Sequence, residues 1–259
     1  MADIGGTEKD DLRARRASSF GAHAELYAQH RPDYPEAGIR WALEASGGLV
    51  VLDLGAGTGK LTGGLLAAGA EVIAVEPDEA MRAEFVRQFP GVAALSGAAE
   101  AIPLPDGSAD AVMVGQALHW FDQERAFPEI ARVLREDGVF AALWNNDDDR
   151  VPWVAGLQRV VRTDSSFPPP TSDDKRPTHP LFSEFEQAEF PHTQRRTAES
   201  LTTTIGTYSH TVVIPARQRA ELLSGISDYL LAEPATAHGE FDFPLRTTVI
   251  RAVRRAPLL

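Results

Sequence analysis

The residues of this chain best placed to do chemistry form one run, Val50-Val51-Leu52-Asp53-Leu54-Gly55-Ala56-Gly57-Thr58-Gly59-Lys60-Leu61. A buried-strand pattern ends in an acidic residue and alternating glycines, then passes into helical text. Glycines at such a turn let backbone amides approach a ligand closely, and the helix N-terminus behind them favours a carboxylate or phosphate. Two well-known glycine loops are at odds with the spacing. The Gly-x-x-x-x-Gly-Lys-Ser/Thr loop places one more residue before its Gly-Lys pair and needs a hydroxyl where Leu61 stands, so magnesium-nucleotide chemistry loses its ligand. The dinucleotide fingerprint Gly-x-Gly-x-x-Gly needs glycine at the position of Lys60, which weakens a nicotinamide reading. A second carboxylate, Glu76, ends the next β-branched run, 21 residues after Gly55.

These residues need a scaffold, and the surrounding text describes one. Short apolar runs at Val50–Leu54, Val72–Val75, Val92–Leu95, Ala109–Gly115 and Val139–Leu143 alternate with amphipathic runs, as in a parallel sheet with helical crossovers. Pro35 opens a helix carrying Ile39, Trp41, Ala42 and Leu43, and Asp78 is placed to cap one whose Met81, Phe85 and Phe89 share a face. Glu124–Arg135 predicts another helix, with Gly138 at its C-cap. Further on, Pro152 starts a helix, Phe185–Phe190 and Thr247–Val253 read as strands, and Arg217–Leu231 reads as a helix. Residues 1–16 are expected to form a mobile tail, and five prolines within 168–180 a stiff loop or hinge.

Composition narrows the function classes. With 259 residues and 43% hydrophobic content there is material for a large core. The absence of cysteine excludes disulfides, zinc-thiolate sites and a cysteine nucleophile, and fits a reducing, cytoplasmic setting. No stretch reads as a signal peptide or membrane span, so no membrane partner is expected. A net charge of −12 repels phosphate backbones, which makes a small molecule the expected partner in place of nucleic acid. The histidines show no His-x-x-x-His pair, and Asp147-Asp148-Asp149 lacks the spacing of a calcium loop; it reads as a solvated helix-capping turn. No metal is expected.

The glycine run resembles the first motif of class I methyltransferases that use S-adenosylmethionine. Val75-Glu76-Pro77 matches the second-strand acid of that family, and Gly97-Ala98-Ala99-Glu100-Ala101-Ile102-Pro103-Leu104 is similar to its adenine-closing segment. An acidic residue is common in that family where Ala98 stands, so adenine recognition is expected to rest on backbone or on another residue. Tyr27-Ala28-Gln29-His30-Arg31-Pro32-Asp33-Tyr34-Pro35 and Gly115-Gln116-Ala117-Leu118-His119-Trp120-Phe121-Asp122 resemble the small-molecule branch that includes trans-aconitate methyltransferase-like proteins. The Trp144-Asn145 and Val151-Pro152-Trp153 patterns agree with that branch.

The resemblance implies an α/β, doubly wound, seven-stranded and mostly parallel sheet of the Rossmann-like methyltransferase fold, its last strand antiparallel. It implies one domain over 17–259, with 151–240 adding helices and a loop as cover for the acceptor pocket. S-adenosylmethionine is the implied cofactor and S-adenosylhomocysteine its product. The implied cofactor residues are Tyr27, Arg31, Asp53, Gly55, Ala56, Gly57, Gly59, Glu76, Pro77, Met81, Ala98, Ala99, Glu100 and Gln116. In the family an acid at the position of Glu76 grips the two ribose hydroxyls. Tyr34, His119, Trp120, Trp144 and Asn145 are the candidate acceptor residues.

Several roles stay open on sequence. His119 follows the fourth strand, where it would serve as general base or only hold the loop. Asp53 either meets the ligand or holds the amides of its own turn, and Arg31 pairs a carboxylate of cofactor or acceptor, or a structural partner. The expected activity is methyl transfer to oxygen or nitrogen of a small molecule, a carboxylate included. An RNA or protein methyltransferase, a non-catalytic cofactor-binding module and a nicotinamide oxidoreductase are the alternatives.

Overall fold

The structure, a computed structural model, describes residues 28, 31–162 and 176–256. The expected tail, Tyr27 and the first prolines of the 168–180 stretch lie outside the described residues. In chain order the elements are α1 (Glu36–Leu43), β1 (Val50–Leu54), α2 (Lys60–Ala67), β2 (Glu71–Val75), α3 (Glu79–Gln88), β3 (Ala93–Leu95) and β4 (Ala109–Gly115). A 3₁₀ turn (Leu118–Trp120) leads to α4 (Gln123–Val133), β5 (Leu134–Asp147) and α5 (Pro152–Val161). Then come β6 (Glu186–Arg196), α6 (Ala198–Gly206), α7 (Ser209–Val212), α8 (Ala216–Ala232) and β7 (Phe241–Val253).

The seven strands form one sheet in the order β3-β2-β1-β4-β5-β7-β6. β1 pairs in parallel with β2 and β4, β2 with β3, and β4 with β5. Strand β7 runs against β5: Gly138 O accepts from Arg254 N, while seven residues further along β5 Asn145 meets Thr247. The expected mixed sheet with an antiparallel last strand is present. Alternation along β1 and β4 supplies both faces with core. Leu52, Leu54, Val112 and Val114 pack on one side with Phe127, Ile130 and Phe140. Val51, Ala111 and Met113 pack on the other with Ile39, Leu61 and Leu65. Helices on both faces explain why these strands are apolar on both sides, interrupted only by Asp53 in β1 and Asp110 in β4.

The described residues fall into two compact units. One contains 32–146, 176–192 and 246–256, and so holds β1–β5 up to Asn146 with α1–α4. The other contains Arg31, 147–162 and 193–245, with its own core of Val154, Leu157, Leu201, Ile205, Ile226, Leu230, Phe241, Phe243 and Leu245. Among the described residues no helix is long and apolar enough to cross a membrane.

Three local expectations are corrected. Helix α4 ends at Val133, and Leu134 already pairs with Ala109 before a register shift in β4. Asp137, at φ +59°, takes the left-handed position, whereas Gly138 is glycine because a Cβ there would lie 2.9 Å from Arg135 O and 3.1 Å from Asp110 O. Strands β6 and β7 reach further than their apolar text, because exposed positions alternate with half-buried ones along β6 and half-buried positions alternate with buried ones along β7; β6 is an edge strand, which is why Pro191 is tolerated in it. The aspartate run is not a solvated cap: Asp148 is buried and holds Arg150 through both oxygens at 2.7 Å, and α5 has no side-chain cap.

Candidate active site

The carboxyl ends of β1, β2, β4 and β5 converge where the order of the sheet reverses between β1 and β4, the place where open α/β sheets hold ligands. After β1 the chain turns through Gly55, Gly57 and Gly59 at φ +71°, +56° and +91°, left-handed values that glycine adopts most readily. Val75 O, at the end of β2, accepts from both Gly55 N at 2.8 Å and Ala56 N at 3.2 Å, pinning the loop. Gly55 is also a close approach: a Cβ there would lie 2.9 Å from Ala117 Cβ and 3.4 Å from Phe121 Cζ. A Cβ on Gly57 would meet nothing within 4 Å, so the space beside that residue is open.

Glu76 binds the loop from the side. Its Oε2 accepts from Gly57 N at 2.8 Å and its Oε1 from Asp78 N at 2.9 Å. Asp78 in turn caps α3 by accepting from Met81 N at 2.9 Å. Burial raises the Glu76 pKa above the ordinary carboxylate range, opposed by the backbone donors of Asp78 and Gly57. Asp53 is buried more deeply: Thr62 Oγ1 donates to its Oδ2 at 2.5 Å, and its Oδ1 is buried without a hydrogen-bond partner. Desolvation, helped by the neighbouring Glu76 charge, pushes its pKa to about 7 against the pull of Thr62.

On the other side of β1, Gln116 holds a left-handed φ of +56°, a conformation uncommon for a residue with a side chain. It is fixed by its N–H to Leu143 O at 2.9 Å and its Nε2 to Asn145 O at 2.8 Å. The 3₁₀ turn that follows presents His119 to solvent, with its ring centroid 4.6 Å from that of Trp120. Glu100 Oε1 accepts from Asp122 N at 2.7 Å and so ties the segment after β3 to this turn.

Residues 52–142 match the methyltransferase-domain family. An uncharacterized methyltransferase of Mycobacterium tuberculosis is 38% identical over 235 residues, covering 90% of this chain and 95% of that protein. The chain belongs to the S-adenosylmethionine-dependent methyltransferases. An uncharacterized methyltransferase from Schizosaccharomyces pombe is 31% identical over 228 residues, covering 85% of this chain and 91% of that protein. Among solved structures, one named as a type II methyltransferase from Anaeromyxobacter dehalogenans superimposes with a TM-score of 0.63 at 30% identity, over 88% of this chain and 99% of the other.

In this methyltransferase Glu76 joins the loop of Gly55, Ala56, Gly57 and Gly59, with Asp53 near the end of β1 before it, and Pro77 and Met81 follow Glu76 into α3. Ala98, Ala99 and Glu100 follow β3, and Gln116, His119 and Trp120 follow β4. Trp144 and Asn145 lie near the end of β5, and Tyr34 packs on Gly115. Arg31 belongs to the helical unit, where its guanidinium donates to Thr207 O at 3.2 Å and lies 4.4 Å from the Tyr208 ring centroid. Asp53 does not hold its own turn, because Glu76 takes the loop amide and Asp53 takes Thr62. Sequence reasoning missed buried Thr62, while buried Thr58 and Phe121 stood in the quoted motifs without a role. For Thr62 a signal existed: a hydroxyl on the helix leaving the loop, on the face turned to β1. Among the described residues no group of three or more candidate ligands could hold a metal ion.

Proposed function

We propose that this methyltransferase acts on a small-molecule acceptor, at oxygen or nitrogen, in the branch that resembles trans-aconitate methyltransferase-like proteins and in a cytoplasmic setting. The observation that carries the cofactor half is Glu76: each of its oxygens accepts a single backbone N–H, which leaves lone pairs on both for the two ribose hydroxyls. The open space at Gly57 supports a ligand lying over the loop, with buried Asp53 beneath it. Gly55, Ala56, Gly57 and Gly59 would shape that site, with Pro77, Met81, Ala98, Ala99, Glu100 and Gln116 as its border. When bound, S-adenosylmethionine supplies a methyl group activated by its sulfonium.

The chain's own task is then to hold the acceptor in line and exclude water. Tyr34, Trp120, Trp144 and Asn145 are the proposed acceptor residues. A carboxylate acceptor is already ionised at neutral pH, whereas a hydroxyl or ammonium needs a base, for which His119 is the candidate. With an acceptor of the latter kind His119→Ala should lower kcat by about a hundredfold while the Kd of S-adenosylhomocysteine stays the same. An unchanged kcat would point to a carboxylate. The net charge of −12 supports a metabolite over RNA. Incubating the protein with labelled S-adenosylmethionine and a fractionated lysate tests this: label should enter the metabolite fraction, and label in RNA or protein would overturn the small-molecule reading.

A further inference from the structure

Asn145 gives its side-chain amide to two backbone carbonyls, Pro32 O at 3.3 Å and Asp33 O at 3.2 Å. A carbonyl only accepts, so the –NH2 group must face that pair and Oδ1 must point away from it. There Thr247 Oγ1 lies 2.5 Å from Oδ1, which commits the single hydroxyl proton of Thr247 to Asn145. His192 Nε2 lies 3.0 Å from the same hydroxyl oxygen. With its proton already placed, the hydroxyl can only accept from the ring, so Nε2 carries a hydrogen. Burial lowers the His192 pKa, which favours the neutral ring. The bonds therefore run one way, from His192 on β6 through fully buried Thr247 on β7 to Asn145 on β5, and on to residues 32 and 33.

The segment held in this way borders the glycine loop. Asp33 Oδ1 pairs with Lys60 Nζ at 3.2 Å, on the first residue of α2. Tyr34 lies so close to Gly115 that a Cβ there would be 2.7 Å from its Oη. Asn145 O also receives Gln116 Nε2, the residue in the left-handed turn after β4. The first two contacts fasten residues 33 and 34 to borders of the proposed cofactor site, and the third ties Asn145, which holds residues 32 and 33, to Gln116.

We propose that Thr247 and His192 are positioning residues for cofactor binding: they orient the carboxamide of Asn145, which clamps residues 32–34 to the carboxyl ends of β4 and β5. The inference rests on the reading of those strand ends as the cofactor site. In the full-length protein, nitrogen NMR should find neutral His192 with its proton on Nε2; a bare Nε2 would overturn the chain of bonds. Thr247→Val should raise the Kd of S-adenosylhomocysteine by about tenfold, while Thr247→Ser, which keeps the hydroxyl, stays within about twofold of wild type. Equal effects of the two substitutions, or none, would overturn the positioning role. If Thr247→Val does not fold, His192→Gln against His192→Leu makes the same comparison of donor kept and donor lost. If the wild type fails to bind S-adenosylhomocysteine, the cofactor reading falls by itself. Hydrogen exchange at the Asp33 and Tyr34 amides then decides the clamp: faster exchange in Thr247→Val supports it, and unchanged exchange refutes it.

Discussion

Glu76→Ala is expected to weaken S-adenosylhomocysteine binding by about a hundredfold in titration calorimetry, the equivalent of roughly 3 kcal/mol. Hydrogen bonds to a charged group contribute roughly 1.5–3 kcal/mol each, and the substitution removes both the tie to Gly57 N and the proposed acceptor of the ribose hydroxyls. Glu76→Gln should not restore binding. Backbone N–H groups approach both oxygens, from Gly57 on one side and Asp78 on the other, so a carboxamide would have to turn its own –NH2 toward a donor. Wild-type affinity in the alanine variant would refute the role of Glu76 in the site.

The second large effect concerns stability against pH. Asp53 has a pKa of about 7 in the folded protein, up from 3.8, because burial disfavours its charge. The folded state therefore holds a proton that the unfolded chain releases above its ordinary carboxylate pKa. The resulting stabilisation is complete below that value and is lost as pH rises toward about 7. The full swing is roughly 4 kcal/mol, shared in part with Glu76, whose charge acts on the same proton. Urea unfolding of wild type and Asp53→Asn between these pH values should show wild type losing stability relative to the variant as pH rises. Asp147, raised by burial to about 6, is present in both proteins and cancels in the comparison. Parallel curves would show that Asp53 ionises normally.

Much of the site was written locally. The glycine loop, its strand and its helix are contiguous, and their conformation follows from residue type: alternating glycines accept left-handed φ values, and Asp78 caps the helix that follows Glu76. The text of β1, β4 and the middle of β5 is apolar on both faces because both are covered, so strand identity and the parallel pattern were legible as well. Helix α6 was not. Its Leu-Thr-Thr-Thr-Ile text favours a strand by side-chain type, yet a capping box between Thr197 and Ser200 opens a helix. Its threonine hydroxyls turn back to carbonyls four residues earlier, and Leu201 and Ile205 are buried in the helical unit.

By itself, then, the sequence determined the fold class, the glycine loop and the acid 21 residues beyond it, because those depend on backbone freedom and short-range spacing. Only the tertiary structure decided which polar atoms share a proton. Glu76 with Gly57, and Asn145 with Thr247, 102 residues away, are brought together by strand order and register. The physical reason is that a buried donor or acceptor must find a partner or bear the cost of desolvation, and the available partners are set by packing, which no local pattern encodes.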